Sequence, residues 1–352
     1  MERILTFARA VLEATDQCLA TDPAVILIGL GVPDPGGIFG TTLGLRETHG
    51  GERVLDMPVA ENGVTGIVIG AATMGLRPIM THQRVDFALL ALEQLVNQAA
   101  KWHFMFAGQV RVPLVVRMII GRGWGQGPQH SQSLHSWFAH IPGLKVVAPF
   151  SPSDAKGMLI AAVEDDNPVI FLEHRWLQNL SDDVPTEMFR TPLDKARVVR
   201  QGADISLIAF SHMTYESLRA AEMLAKLGVS AEVVDLRSLR PLDAATVLAS
   251  VRKTGRFIAL DADWASCSVA SEIVALCTEQ AFDALKCPPA RITLPDYPLS
   301  TSPALSKNYY PSPGDIAAQA LRMLGKEGPS EILYPPSKLP HDVPDLSFQG
   351  PF

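Results

Sequence analysis

Apolar residues at Ile4, Ala8, Val11, Leu12 and Leu19 recur at helical spacing, Asp22-Pro23 interrupts them, and a continuous apolar run from Ala24 to Gly29 follows. A period near 3.6 that gives way to a short solid run predicts a helix, a turn and a buried strand. The alternation continues, with strands predicted at 77–80, 112–118, 145–148 and 169–172 and helices at 88–102 and 154–163. From 181 to 194 the chain turns to acidic residues, proline and threonine without a period, which suits a linker. Beyond it the alternation resumes. A strand at 205–210 precedes a helix at 215–227 stopped by Gly228, and strands at 233–236 and 257–260 each lead into a helix. Strands alternating with helices imply mainly parallel sheets covered on both faces. The expected fold class is α/β, with two doubly wound domains at 1–180 and 197–325, a linker at 181–196 and a proline-rich tail at 326–352 that is extended or wraps a partner.

Composition narrows the function more than the fold. A chain of 352 residues is long enough for two domains, and 47% hydrophobic with 19% charged residues is ordinary for a globular protein. A net charge of -7 gives no reason to expect a nucleic acid or an anionic membrane as partner. No apolar run approaches the roughly 20 residues that span a bilayer, and Met1-Glu2-Arg3-Ile4 does not open a signal peptide, so a cytoplasmic location is expected. Cys18, Cys267, Cys277 and Cys287 have neither metal-ligand nor redox spacing and read as buried or surface thiols.

Candidate chemistry concentrates in Asp56-Met57-Pro58-Val59-Ala60-Glu61-Asn62-Gly63-Val64-Thr65-Gly66, where a single acid, Glu61, stands between an apolar-proline turn and a helix of small apolar residues. A carboxylate there serves either as a helix-terminal charge or as a catalytic acid, since burying it without a partner is costly. Gly121 to Gly127 is dense in glycine but lacks both the lysine-serine/threonine end of a phosphate loop and a Gly-x-Gly-x-x-Gly that opens a helix, so it reads as a loop after a strand, where sites form in parallel sheets. His130 follows it in Gln129-His130-Ser131-Gln132-Ser133; His135 and His140 are nearby, His140 reading as a packing or capping residue.

Five further segments come in order: Gly75-Leu76-Arg77-Pro78-Ile79, Leu92 to Lys101, Gln129 to Ser133, Pro142 to Pro149 and Asp154-Ala155-Lys156-Gly157. Together with the Glu61 stretch they resemble the beta subunit of the thiamine-diphosphate-dependent 2-oxoacid dehydrogenases of pyruvate and branched-chain type, over about Leu12 to Leu324. The resemblance implies a pyrimidine-binding domain followed by a transketolase C-terminal domain. It makes Glu61 the acid against the cofactor's pyrimidine nitrogen, Phe87 the flat partner of that ring and His130 a group that stabilises an intermediate or assists acyl transfer. It also implies a structural potassium ion at Leu114, Ala162, Val163, Asp165 and Asn167. The Gly-Asp-Gly stretch with a later asparagine that holds magnesium and diphosphate is not found in this sequence; in two-chain members it lies on the alpha subunit. An alpha2beta2 heterotetramer is therefore expected, with a lipoyl acyltransferase as a further partner.

Departures from the family pattern bear on substrate. Gly29-Leu30-Gly31 stands where an acid follows the first glycine, and Thr81-His82-Gln83-Arg84 replaces an acidic residue followed by apolar ones. His82 and Arg84 are thereby candidates for contacting a polar or anionic substrate, the alternative for Arg84 being a surface arginine paired with Asp86 or Glu93. Asp261 to Cys267 replaces a glycine-richer stretch. Two other readings share the fold: the C-terminal half of a split transketolase or other carboligase, and a paralogue that assembles without turning over.

Overall fold

The computed structural model describes residues 3–34, 36–122 and 125–336. Gly123 and Trp124 of the glycine-dense loop and residues 337–352 of the expected tail lie outside the described residues. The chain forms two compact units, one of residues up to Arg122 with Gln132–Leu193, the other of Asp194 onward with the loop that precedes Gln132.

The first unit runs β1 (Ile4–Thr6), α1 (Phe7–Thr21), β2 (Val25–Gly29), α2 (Leu45–His49), β3 (Val54–Asp56), α3 (Glu61–Thr73), β4 (Arg77–His82), α4 (Val85–Ala88), α5 (Ala100–Met105), β5 (Val115–Ile120), α6 (His135–His140), β6 (Lys145–Val147), α7 (Pro152–Glu164), β7 (Val169–His174) and β8 (Ser181–Asp183). Its main strands lie in the order β6-β7-β5-β4-β2-β3, each pair parallel. The middle strands β5 and β7 are buried at every position, which is why they read as solid apolar runs. Local signals set the helix starts: Thr6 accepts from the Arg9 N–H at 3.2 Å, and Ser151 accepts from the Asp154 N–H with Pro152 at the first turn of α7. Helix α1 therefore begins after Ile4, which lies in β1 instead.

Two expectations change. The helix expected at 88–102 is a 3-10 turn at Leu89–Ala91, a π-helical stretch at Gln94–Ala99 and then α5. The expected linker is partly built into the first unit: β8 pairs antiparallel with β1, Leu5 opposite Asp182. The buried Lys156 Nζ donates to Glu13 Oε1 at 2.6 Å and to the carbonyls of Pro185, Thr186 and Glu187 at 2.6, 3.1 and 3.0 Å. A Cβ on Gly157 would lie 2.4 Å from Thr191 Oγ1, so the small residue lets this segment lie flat on α7. The Asp154-Ala155-Lys156-Gly157 segment thus clamps the chain that leaves the domain. Gly143 (φ +101) works the same way: its Cβ would fall 1.9 Å from the Ala100 carbonyl oxygen, while Lys101 Nζ donates to Pro142 O at 2.7 Å.

The second unit contains β9 (Arg197–Arg200), β10 (Ile205–Ala209), α8 (His212–Lys226), β11 (Ala231–Asp235), β12 (Ser238–Arg240), α9 (Ala244–Thr254), β13 (Phe257–Trp264), α10 (Val269–Ala281), β14 (Ala290–Leu294), α11 (Pro303–Ser306), α12 (Pro313–Met323) and α13 (Ser330–Leu333). Its sheet has the order β14-β13-β10-β11-β9, parallel except for β9. Helices α8 and α12 bury Ala220, Leu224, Ile316 and Leu321 against Leu207 and Val233. Leu333 of α13 joins that core, so the start of the expected tail is packed. At the turn after β13, Cys267 takes φ 58 and is exposed, a conformation that glycine adopts more readily.

Candidate active site

In a parallel sheet the residues that follow the strands gather at one edge. In the first unit that edge carries Leu30 and Gly31 after β2, Glu61 beyond β3, Gln83, Arg84 and Phe87 after β4, Gly121 and Arg122 after β5, and Arg175 and Trp176 after β7. Gly121 (φ +86) is needed there, because a Cβ would lie 2.1 Å from His174 Nε2. The edge is cross-linked: Gly31 N–H donates to Asp56 Oδ1 at 2.9 Å and Gln83 Nε2 to Leu30 O at 3.1 Å.

Glu61 is the first residue of α3 and is 5% exposed. The helix has Ala60 as N-cap, with no side-chain capping bond, and no hydrogen bond reaches the Glu61 carboxylate from the described residues. A capping role therefore does not account for it. Thr65, one turn on, donates to the Glu61 carbonyl at 2.6 Å and lies 3.5 Å from Met80 Sδ, which seats α3 on the face of β4 that also bears His82. Glu61 begins α3 one turn before that contact and His82 ends β4 two residues after it, so both lie toward the same end of the sheet.

His82 is 3% exposed, its Nε2 has no hydrogen-bond partner among the described residues, and burial pushes its pKa down to about 4, so the ring is neutral at ordinary pH. Arg84, which could have been a surface arginine, is buried, with burial lowering its pKa against the opposing charge of Asp86. Phe87 is half-buried in α4, its N–H bonded to Arg84 O at 3.2 Å. His130 belongs to the second unit and is half-buried; near it Gly127 (φ +66) lies so close to Thr301 Cγ2 that a Cβ would stand 2.5 Å away. His135 is buried in α6, while His140 is exposed at its end rather than packed. The structure thus gathers Glu61, Phe87, His82 and Arg84 on one edge and carries His130 on a separate unit.

The oxygens expected to hold potassium are partly engaged. Arg77 Nη1 donates to the carbonyls of Val163 and Asp165 at 3.0 and 3.2 Å, Val169 N–H to Leu114 O at 2.8 Å, and Asp165 N–H to Ala162 O at 3.3 Å. The Asp165 carboxylate accepts from Lys145 and from Asn167. Each carbonyl retains a second lone pair, while the Arg77 guanidinium already places a positive charge on those of Val163 and Asp165. For divalent metals, no group of three His, Cys, Asp or Glu side chains converges among the described residues.

Residues 4–179 match the family model of the transketolase pyrimidine-binding domain and residues 194–316 that of the transketolase C-terminal domain. The chain is 42% identical over 334 residues to the acetoin:2,6-dichlorophenolindophenol oxidoreductase subunit beta of Cupriavidus necator, covering 92% of this chain and 98% of that one. It is 40% identical over 322 residues to the mitochondrial pyruvate dehydrogenase E1 component subunit beta-2 of Oryza sativa, covering 90% and 86%. The chain belongs to the beta subunits of the thiamine-diphosphate-dependent 2-oxoacid dehydrogenases. A solved split-gene transketolase, described as an inactive beta4 tetramer, shares the fold with a TM-score of 0.73 at 21% identity, covering 92% of this chain and 99% of that one.

Within this beta-subunit frame, sequence reasoning missed the arginines beyond Arg84. Arg117, fully buried in β5, donates to both oxygens of Glu173 in β7 at 2.6 and 3.1 Å. Arg175 is 2% exposed and lies 5.2 Å from the Phe39 ring centroid; Arg122 lies 3.4 Å from that of Trp176. The available signal was a charged residue placed directly after a strand, at 122 after β5 and at 175 after β7.

Proposed function

We propose that this chain is the beta subunit of a thiamine-diphosphate-dependent component that decarboxylates a 2-oxoacid, active only with an alpha subunit. The observation that carries the reading is the buried Glu61 carboxylate at the start of α3 without a hydrogen-bond partner among the described residues. Such a group is costly unless a ligand completes it. Thiamine diphosphate, when bound, would supply the nucleophile and the electron sink that decarboxylation of a 2-oxoacid needs. Glu61 holds a proton against the pyrimidine ring nitrogen, Phe87 offers the ring a flat apolar neighbour and His130 donates a hydrogen bond during acyl transfer. Magnesium and the diphosphate are assigned to the alpha subunit, and a potassium ion at 162–167 to a structural role.

An apolar face on the same helix supports a partner chain. Ile67 on α3 and Met74 at its C-cap, seven residues apart, are 70% and 84% exposed, and Gly63 and Gly70, one before and one between them, would meet nothing within 4 Å if given a Cβ. A helix face of small residues with two exposed apolar side chains suits close packing against another chain. The test is reconstitution with a chain carrying the magnesium-diphosphate motif, followed by carbon dioxide release from a panel of 2-oxoacids, with acetoin and ketose donors in parallel. Release that requires both chains and the cofactor supports the reading. Ketose transfer without decarboxylation, or no turnover by an assembled cofactor-loaded pair, would replace it with the carboligase or the inactive-paralogue reading.

A further inference from the structure

Strands β4, β5 and β7 are neighbours, and each is followed within two residues by an arginine: Arg84, Arg122 and Arg175. Arg84 is 7% and Arg175 2% exposed. The two feel each other, since the Arg175 pKa falls to about 9 through burial first and the charge of Arg84 second. Two like charges brought together out of water oppose folding, and a shared anion offsets that cost. Asp86 faces Arg84 as an opposing charge and also accepts from Gln132 Nε2 at 2.6 Å, and Glu173 binds Arg117 through both oxygens.

Two of the arginines also lie against aromatic rings, Arg122 at 3.4 Å and Arg175 at 5.2 Å from the ring centroids. The Arg122 guanidinium lies over the Trp176 ring and that of Arg175 over the Phe39 ring. Phe39 itself is held at φ 54, a conformation uncommon for a bulky side chain. A guanidinium stacked on an aromatic ring directs its N–H groups along the plane of the stack, where a carboxylate or phosphate accepts two at once.

We propose that Arg84 and Arg175, with Arg122 beside them, recognise a second anionic group on the substrate, so that the 2-oxoacid this chain acts on carries a distal carboxylate or phosphate. The proposal rests on the 2-oxoacid reading for the reaction but on the arginines alone for the anion. Pyruvate lacks the second group and would leave this cluster unused.

The first arm uses the purified full chain with sodium succinate or inorganic phosphate as probe, followed by calorimetry and thermal shift at constant ionic strength. Saturable binding that weakens at least tenfold in both Arg84→Met and Arg175→Met, and not in Arg111→Met at an exposed arginine, is expected. Circular dichroism of each variant checks that it has folded, and Arg84→Lys, which keeps the charge without the fork, should retain part of the binding. A stronger response to succinate assigns a carboxylate, a stronger response to phosphate a phosphate ester. No saturable response to either probe, or an equal response in the variants, overturns the proposal. The second arm measures kcat/KM of the reconstituted pair, which should favour 2-oxoacids with a distal carboxylate or phosphate over pyruvate by at least tenfold; preference for pyruvate also overturns it. A pair that turns over no 2-oxoacid defeats the functional reading and leaves the anion-binding result standing by itself.

Discussion

His82 ends β4 and is 3% exposed. Its burial lowers the folded-state pKa to about 4, so the unfolded chain, near the ordinary histidine value of about 6.5, binds the proton more readily. The stability this residue contributes is therefore complete above about pH 6.5 and is lost as the pH falls toward 4, at ~1.4 kcal/mol per pH unit while only the unfolded form is protonated. Urea denaturation of wild type and His82→Phe across this range should show a shallower loss in the variant; parallel curves would mean that His82 is solvated. Glu173 makes a sharper case. Replacing it with glutamine leaves the guanidinium of a fully buried Arg117 with no ionised acceptor among the described residues, and a loss of ~3–5 kcal/mol in unfolding free energy is expected. A change below ~1 kcal/mol would show that water or another acid reaches Arg117.

Elements explain why the motifs are where they are. The Leu92 to Lys101 and Pro142 to Pro149 segments meet through Gly143 against Ala100 and Lys101 against Pro142, and the Asp154 to Gly157 segment clamps the outgoing chain. Much of what carries the family resemblance is thus packing rather than chemistry. Lys156→Met removes one ammonium from three carbonyls and a carboxylate, and it should lower stability by ~3 kcal/mol and open residues 185–191 to limited proteolysis. An unchanged cleavage pattern would assign the clamp to β8 and Gly157 instead. These elements also mark what the sequence could show. Buried strands such as β5 and β7 announce themselves as apolar runs, and the alternation with helices gives the α/β class directly. Strand β8 could not be seen, because all three of its residues are exposed and its pairing with β1 is set by a contact across most of the domain. The π-helical stretch at 94–99 has the apolar spacing of an ordinary helix, so local pattern does not distinguish the wider turn.

At the scale of the whole molecule, a sheet edge collects side chains that are far apart in the chain. Glu61 and Phe87 were identifiable from local motifs, whereas the burial of Arg84 and its coupling to Arg175, 91 positions later, arise only when β4, β5 and β7 lie side by side. One unit carries the buried acid and the arginines, the other carries His130, and the proposed alpha subunit supplies magnesium and diphosphate contacts. The proposed function turns on Glu61 controlling the proton on the cofactor. The direct measurement is hydrogen–deuterium exchange at the thiazolium carbon of thiamine diphosphate bound to the reconstituted complex, comparing wild type with Glu61→Gln. An amide cannot share the proton, so exchange should slow on the order of a hundredfold or more while the complex still assembles. Exchange at the wild-type rate in the assembled variant would remove Glu61 from the mechanism.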